Sequence, residues 1–283
     1  MTARAQLEIL LESPDFLTMP CCFDALSAKL IEQSGFPLTF MSGFGVAAAR
    51  LACPDTGLIS VGEILDQGRA ILEAVSIPVI GDGDTGYGNV ANVRRTVESY
   101  ARAGFSCIMI EDQLAPKRCG HTRGKEVVER DEALKRIRAA VDAKEEGADI
   151  LIMARTDARA TRGLDEALYR MEAFRALGAD ILFLEAPKTH REMERFCSTV
   201  EGPKMANMLE YGETPIFPPK TLEAMGYKIA AYPLTLLSSA IHAMQAALNE
   251  IKQGTPASGI LPFESLQSVL GFPEYDAMLE RYK

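Results

Sequence analysis

The feature that most constrains this chain is an eightfold alternation of short apolar runs with amphipathic stretches of helix length. The runs are MPCCFD at 19–24, PLTFMSG at 37–43, IPVIGDGD at 77–84, CIMIEDQ at 107–113, ILIMARTD at 150–157, ILFLEAP at 181–187, KMANML at 204–209 and KIAAYPL at 228–234. Stretches of helical period follow them, among them 60–75, 90–103, 131–146 and 164–177. Eight strand–helix units without a compositional break predict an α/β chain folded as one parallel (β/α)8 TIM barrel over 1–283, with an open doubly wound sheet as the competing arrangement. Within it we expect an N-terminal helix in 1–18, a gating loop at 113–129 and a helical tail at 254–283. Gly and Pro punctuate that tail, and its last helix is expected to be exchanged between subunits.

Six of the eight apolar runs carry charged or amide residues toward their C-terminal ends: Asp24, Asp82 with Asp84, Glu111 with Asp112, Arg155 with Asp157, Glu185 and Asn207. In a parallel barrel all strand C-termini share one mouth, so residues scattered along the chain converge there. Two long connections, Gly43 to Ile59 and Gln113 to Glu129, lie on the same side. Connections longer than about 12 residues in a compact domain are commonly lids or binding loops.

Bulk properties remove several function classes. A formal net charge of −9 with no basic run argues against nucleic acid, whose phosphates are bound by clustered Lys and Arg. No apolar stretch approaches the roughly 18 residues of a membrane span, and the N-terminus lacks a signal-peptide core, so a soluble cytoplasmic protein without membrane partners is expected. The six cysteines form no C-x-x-C pair and read as buried small hydrophobes, apart from Cys119 among Lys117, Arg118 and His121.

Three segments carry chemistry. GDGDTGYGN places Asp82 and Asp84 two residues apart at a strand end, on one side of the strand, where hard oxygen ligands suit Mg²⁺ or Mn²⁺; the competing reading is a turn that uses Asp and Gly for its backbone shape. Glu111 at the next strand end adds to the metal reading. Arg155, after an apolar run, needs a fixed anion: a substrate carboxylate, which we favour, or an ion pair with Glu185 or Asp157. In PKRCGHTRGK a thiol sits among cations, which favour its ionised form and suit Cys119 to acid–base work. A Cys/His nucleophile is the weaker reading, because His121 lies two residues away and no orienting third group is evident.

Together SGFGVAAARLACPDTG, GDGDTGYGN, IEDQLAPKRCGH, MARTDA, LFLEAP and MANMLEYG resemble the isocitrate lyase and phosphoenolpyruvate mutase superfamily, from about Met19 to Lys252. Its 2-alkylmalate lyases and oxaloacetate hydrolases of the petal death protein type are the most similar branch. The resemblance implies a Mg²⁺-dependent lyase, with Mn²⁺ as a substitute, acting as a homotetramer on a small dicarboxylate. It implies that Asp82 and Asp84 hold the metal, with Glu111 in the same shell. Ser42, Gly43 and Phe44 then cradle a substrate carboxylate, and Asp55 lies near the reacting carbon. Cys119 and Gly120 fall on the closing loop beside Lys117 and His121, while Arg155, Glu185 and Asn207 contact substrate.

Three departures shape the expected substrate. The 2-methylisocitrate lyases place an Arg shortly after YPL, where this chain has Ser238, and a second Arg has no counterpart in LPFESLQSVL. A third carboxylate without a counter-charge is costly in a closed site, which favours a dicarboxylate. The mutases lack the KRCGH thiol, which disfavours carboxyvinyl-carboxyphosphonate phosphorylmutase chemistry. The Tyr that some lyases place before Ser-Gly is Phe40 followed by Met41, so the base for the substrate hydroxyl is open. The expected reaction cleaves C2–C3 of a 2-alkylmalate to a 2-oxo acid and a carboxylate, or oxaloacetate to oxalate and acetate. A 2-methylisocitrate lyase and a non-catalytic diacid-binding barrel are the alternatives.

Overall fold

A computed structural model of the chain describes residues 1–120 and 124–283. Helix α1 (Ala3–Glu12) precedes strand β1 (Leu17–Cys22), followed by α2 (Ala25–Gln33), β2 (Thr39–Met41), α3 (Gly43–Leu51), α4 (Val61–Ala74), β3 (Val79–Asp82), α5 (Val90–Ala103) and β4 (Cys107–Glu111). Next come α6 (Arg130–Glu145), β5 (Leu151–Thr156), α7 (Ala158–Arg162), α8 (Leu164–Ala176), β6 (Ile181–Leu184), α9 (His190–Thr199), β7 (Met205–Asn207), α10 (Pro219–Met225) and β8 (Ile229–Tyr232). Helices α11 (Thr235–Lys252), α12 (Phe263–Leu270) and α13 (Phe272–Glu280) end the chain.

The strands pair in parallel in the order β6-β5-β4-β3-β2-β1-β8-β7. The two ends of that order meet: the Leu182 N–H of β6 donates to the Pro203 carbonyl at 3.0 Å, beside a parallel bridge to Lys204. The sheet is thus the closed (β/α)8 barrel that the alternation predicts.

Strand alternation builds two cores. Leu17, Met19 and Cys21, then Cys107 and Met109, Leu151 and Met153, and Ile181 and Phe183 fill the barrel interior, with Leu7 of α1 in the same cluster. Their neighbours Ile108, Ile110, Ile152, Ala154, Leu182 and Leu184 pack in the layer under the helices. Because successive side chains face opposite ways, the inward rows continue to Glu111, Arg155 and Glu185 at the strand ends. The same count carries Ile80 to Asp82, Phe40 to Ser42 and Met205 to Asn207.

The structure redraws three expectations. The N-terminal helix stops at Glu12, because Pro14 excludes Ser13 from helical geometry and leaves it extended at φ −61°, ψ 153°; β1 then starts at Leu17. The connection from Gly43 to Ile59 contains α3, capped by Ser42, whose Oγ accepts the Gly45 N–H at 3.2 Å. The chain divides into two compact units, Met1–Leu236 with the barrel and Leu237–Lys283, where the sequence suggests one domain. In the second unit the tail holds two helices, α12 and α13, with Phe263, Phe272 and Tyr275 exposed.

Candidate active site

At the C-terminal ends of the strands the barrel encloses a cavity of about 70 Å³. At about 10–15 Å³ for one water, that is room for roughly five to seven water-sized groups, the scale of a small acid. Ser42, Phe44, Asp55, Asp82, Lys117, Cys119, Gly120, Arg155, Glu185 and Asn207 line it, so ten of the residues singled out in the sequence meet in one place. Its other walls are apolar, among them Phe40, Met109, Phe183, Met205, Leu209 and Leu234.

On one side stands a group of acids around one ammonium. Lys117 Nζ lies 2.5 Å from Asp55 Oδ1 and 2.8 Å from Asp84 Oδ1. The Asp82 carboxylate is fixed by main-chain donors: its Oδ2 accepts the Gly43 N–H at 3.1 Å and its Oδ1 the Asp84 N–H at 3.0 Å. A Cβ on Gly43 would stand 2.6 Å from Asp82 Oδ2, so only glycine permits this approach. One N–H of the expected carboxylate cradle is therefore directed at Asp82. Asp84 sits in the left-handed region at φ 48°, which Asp tolerates, and its carbonyl accepts the Glu111 N–H at 2.9 Å.

These neighbours set the charge states. Burial pushes the Asp84 carboxyl up to about 6 against the pull of Lys117, with Asp82 and Asp55 adding to the rise. Burial also holds Glu111 well above the ordinary carboxylate range, although Arg155 and Lys117 oppose it. For Lys117 burial works downward, but Asp84, Glu111, Asp82 and Asp55 outweigh it and keep the ammonium protonated.

On the other side Arg155 is shared by three carboxylates. Its Nε lies 2.8 Å from Asp157 Oδ2 and 3.3 Å from Glu111 Oε2, and its Nη2 lies 3.4 Å from Glu185 Oε2. The ion-pair alternative is thus what the structure contains, and the guanidinium also lines the cavity. Asn207 Nδ2 lies 3.4 Å from both oxygens of Glu185. Gly120 rests on this group: a Cβ there would fall 2.4 Å from Arg155 Nη2 and 2.7 Å from Glu185 Cδ. Cys119 is a partly buried thiol beside it. The proposed role of His121 lies outside the described residues. Ser238 is exposed on α11.

Sequence reasoning missed Gln113 and Lys125 as parts of this site. Gln113 is 1% exposed and binds both main-chain groups of Arg118. Lys125 joins the Gly120 carbonyl to Asp157. Their positions in IEDQ and in TRGK were the available signal.

The residues present fit a divalent cation. Asp55, Asp82, Asp84 and Glu111 crowd around the buried ammonium of Lys117, whose proton all four help to hold. Glu111 Oε1 is buried with no hydrogen-bond partner among the described residues. Crowded buried carboxylates offer hard oxygen donors of the kind that suit Mg²⁺ or Mn²⁺. No three His, Cys, Asp or Glu among the described residues form a ready ligand group. Mg²⁺ does not need such a group, because it is commonly held by one or two carboxylates and keeps several waters.

A closed (β/α)8 barrel with acids, a buried arginine and a thiol at the strand C-termini defines a class of barrel enzyme that works on small anions. The phosphoenolpyruvate phosphomutase family matches residues 7–252. The 2,3-dimethylmalate lyase of Eubacterium barkeri is 40% identical over 279 residues, 99% of this chain and 94% of that protein. A probable 2-methylisocitrate lyase of Corynebacterium glutamicum is 40% identical over 248 residues, 88% of this chain and 80% of that one. The structure of an oxaloacetate acetylhydrolase in complex with the inhibitor 3,3-difluorooxalacetate superposes with a TM-score of 0.92 at 35% identity, over 98% of this chain and 95% of that one. The chain belongs to this family, within the isocitrate lyase/phosphoenolpyruvate mutase superfamily, and is a carbon–carbon lyase.

Proposed function

We propose that the protein is a Mg²⁺-dependent lyase that cleaves C2–C3 of 2-alkylmalate-type dicarboxylates, and that it splits oxaloacetate, as its hydrate, into oxalate and acetate. The observation that carries this reading is the placement of the Cys119 thiol in one cavity with Asp82, Arg155, Glu185 and Asn207. A site that only binds a diacid needs no proton donor there.

Asp82 and Asp84 would hold the metal, with Glu111 in the surrounding shell; when bound, it supplies Lewis-acid polarisation of the substrate C2 oxygen. Arg155 and Asn207 orient one carboxylate, with Ser42 and Phe44 at the other end, beside the Gly43 N–H that is directed at Asp82. Phe183, whose ring lies 5.2 Å from the Arg155 guanidinium, and Leu209 and Leu234 give an alkyl group an apolar wall. Loss of the C2 hydroxyl proton to a base turns that carbon into the carbonyl of a 2-oxo acid. The C2–C3 electron pair passes into the departing enediolate, and the Cys119 thiol delivers a proton to its C3 carbon. Lys117, held protonated among Asp55 and Asp84, stabilises the negative charge in the site. Exposed apolar side chains on α12 and α13 support assembly as a homotetramer through the last helices.

A panel of 2-alkylmalates, oxaloacetate, isocitrate and 2-methylisocitrate, assayed with Mg²⁺ and with Mn²⁺, tests the reading. We expect the dicarboxylates to exceed 2-methylisocitrate by at least about tenfold in kcat/KM, or about 1.4 kcal/mol in the barrier. Equal or faster turnover of 2-methylisocitrate would make the protein a tricarboxylate lyase instead.

A further inference from the structure

The main chain on both sides of Cys119 is gripped by side chains to which the chemistry above gives no part. On the N-terminal side, Gln113 Oε1 accepts the Arg118 N–H at 3.0 Å and its Nε2 donates to the Arg118 carbonyl at 2.9 Å. The amide copies the paired N–H and C=O of a neighbouring strand and satisfies both polar groups of one residue. Gln113 is itself anchored, because Arg136 Nη1 donates to its carbonyl at 2.9 Å and to the Glu111 carbonyl at 2.7 Å. Arg136, a residue 5% exposed, ties the grip to the end of β4.

On the C-terminal side, the Lys125 ammonium donates to the Gly120 carbonyl and lies 3.2 Å from Asp157 Oδ1. The Lys125 and Asp157 side chains are 5% and 0% exposed. Asp157 accepts from Arg155 through both oxygens, at 2.8 and 3.2 Å, so this second grip reaches the end of β5. The residues directly before and after the thiol are therefore fastened to two adjacent strands. Buried, fully used polar side chains hold a chain segment far more tightly than exposed ones, because breaking either contact leaves a desolvated group unpaired.

We propose that Gln113 and Lys125 are positioning residues for the Cys119 sulfur, an inference that rests on Cys119 being the proton donor. Misplacing a reacting group by about 1 Å can cost on the order of 10²-fold in rate, so the effect belongs in kcat rather than in substrate affinity.

The test uses full-length enzyme with Mg²⁺ and its best substrate. Gln113→Ala, Lys125→Met and Lys125→Arg are each made alone and combined with Cys119→Ser. We expect Gln113→Ala and Lys125→Met to lower kcat by roughly 10–100-fold with KM within about threefold, and Lys125→Arg to recover part of the loss. In the Cys119→Ser background the same changes should cost less than about twofold, because the group they position is gone. Lys125→Met leaves Asp157 paired with Arg155; should it fail to fold, the Gln113→Ala and Lys125→Arg comparisons decide. Wild-type kcat in both positioning variants beside an impaired Cys119→Ser enzyme overturns the inference alone. Equal losses in both backgrounds overturn it too. Wild-type kcat in Cys119→Ser removes the donor assignment, and the positioning role falls with it.

Discussion

Lys117 and Asp84 form a buried ion pair, with Nζ 2.8 Å from Oδ1 and both side chains 6% exposed. The same ammonium also serves Asp55, so one cation is divided between two acids, while the Asp82 carboxylate accepts the main-chain N–H groups of Gly43 and Asp84.

That crowding of buried carboxylates predicts metal dependence. Excess chelator should abolish turnover, and Mg²⁺ or Mn²⁺ should restore it. Binding should also stabilise the fold, by about 2.7 kcal/mol at a hundred times the dissociation constant, read as a rise in Tm. Asp84→Asn should lose both responses. Full activity in excess chelator would dismiss the metal.

A second prediction concerns Gly120, which lies against Arg155 and Glu185. A Cβ would fall 2.4 Å from Arg155 Nη2, inside any real contact distance. Gly120→Ala must lift the segment or push the guanidinium aside, and either displaces groups that line the cavity. We expect kcat/KM to fall by roughly 10²-fold with little change in Tm. Unaltered kinetics would show that Arg155 yields without consequence.

Alternation made much of this site legible in advance. Once Cys107 and Met109 are read as inward, Glu111 must follow them, and the same holds for Leu151, Met153 and Arg155. The partners of Arg155 were not legible: the sequence offered a substrate or an acid, and contacts to Glu111, Asp157 and Glu185 depend on strand register. Helix α3 was hidden because Gly43 and Gly45 read as loop, although Ser42 is a sound cap. Lys125 was hidden for another reason. Its contact with Asp157 spans 32 positions and follows from the path of a connection, which periodicity does not encode.

A third prediction addresses stability beneath the site. Arg170 and Asp112 are each 1% exposed and pair at 3.0 Å, and Arg170 also donates to the Val128 carbonyl at 3.0 Å. Asp112 in turn accepts the Asp157 N–H at 2.9 Å, so the pair supports the strand end that carries Arg155. Arg170→Met leaves Asp112 buried without its counter-charge, a change that costs about 3–5 kcal/mol. Urea unfolding should show that loss as a lower midpoint. A change below about 1 kcal/mol, the worth of an exposed pair, would contradict it.

The last prediction assigns Cys119 as the general acid. The thiol is partly buried and lines the cavity that contains Asp82, Arg155 and Glu185, next to a glycine at which a Cβ would collide with Arg155. If it only fills space, Cys119→Ser should be nearly neutral, because the two side chains are similar in size. If it delivers the proton, kcat should fall by roughly 10²–10⁴, the range for removing a positioned acid–base group. The Tm response to Mg²⁺ should survive, because the thiol is not among the acids assigned to the metal. Alkylation should inactivate the wild-type enzyme, and oxalate with Mg²⁺ should slow it by occupying the cavity. Because a Ser hydroxyl is not alkylated as a thiolate is, the residual rate of Cys119→Ser should also lose the dependence on alkylating agent. A Cys119→Ser enzyme with near wild-type kcat on its best substrate would exclude the thiol as donor and return the search to the other proton-bearing groups around the cavity.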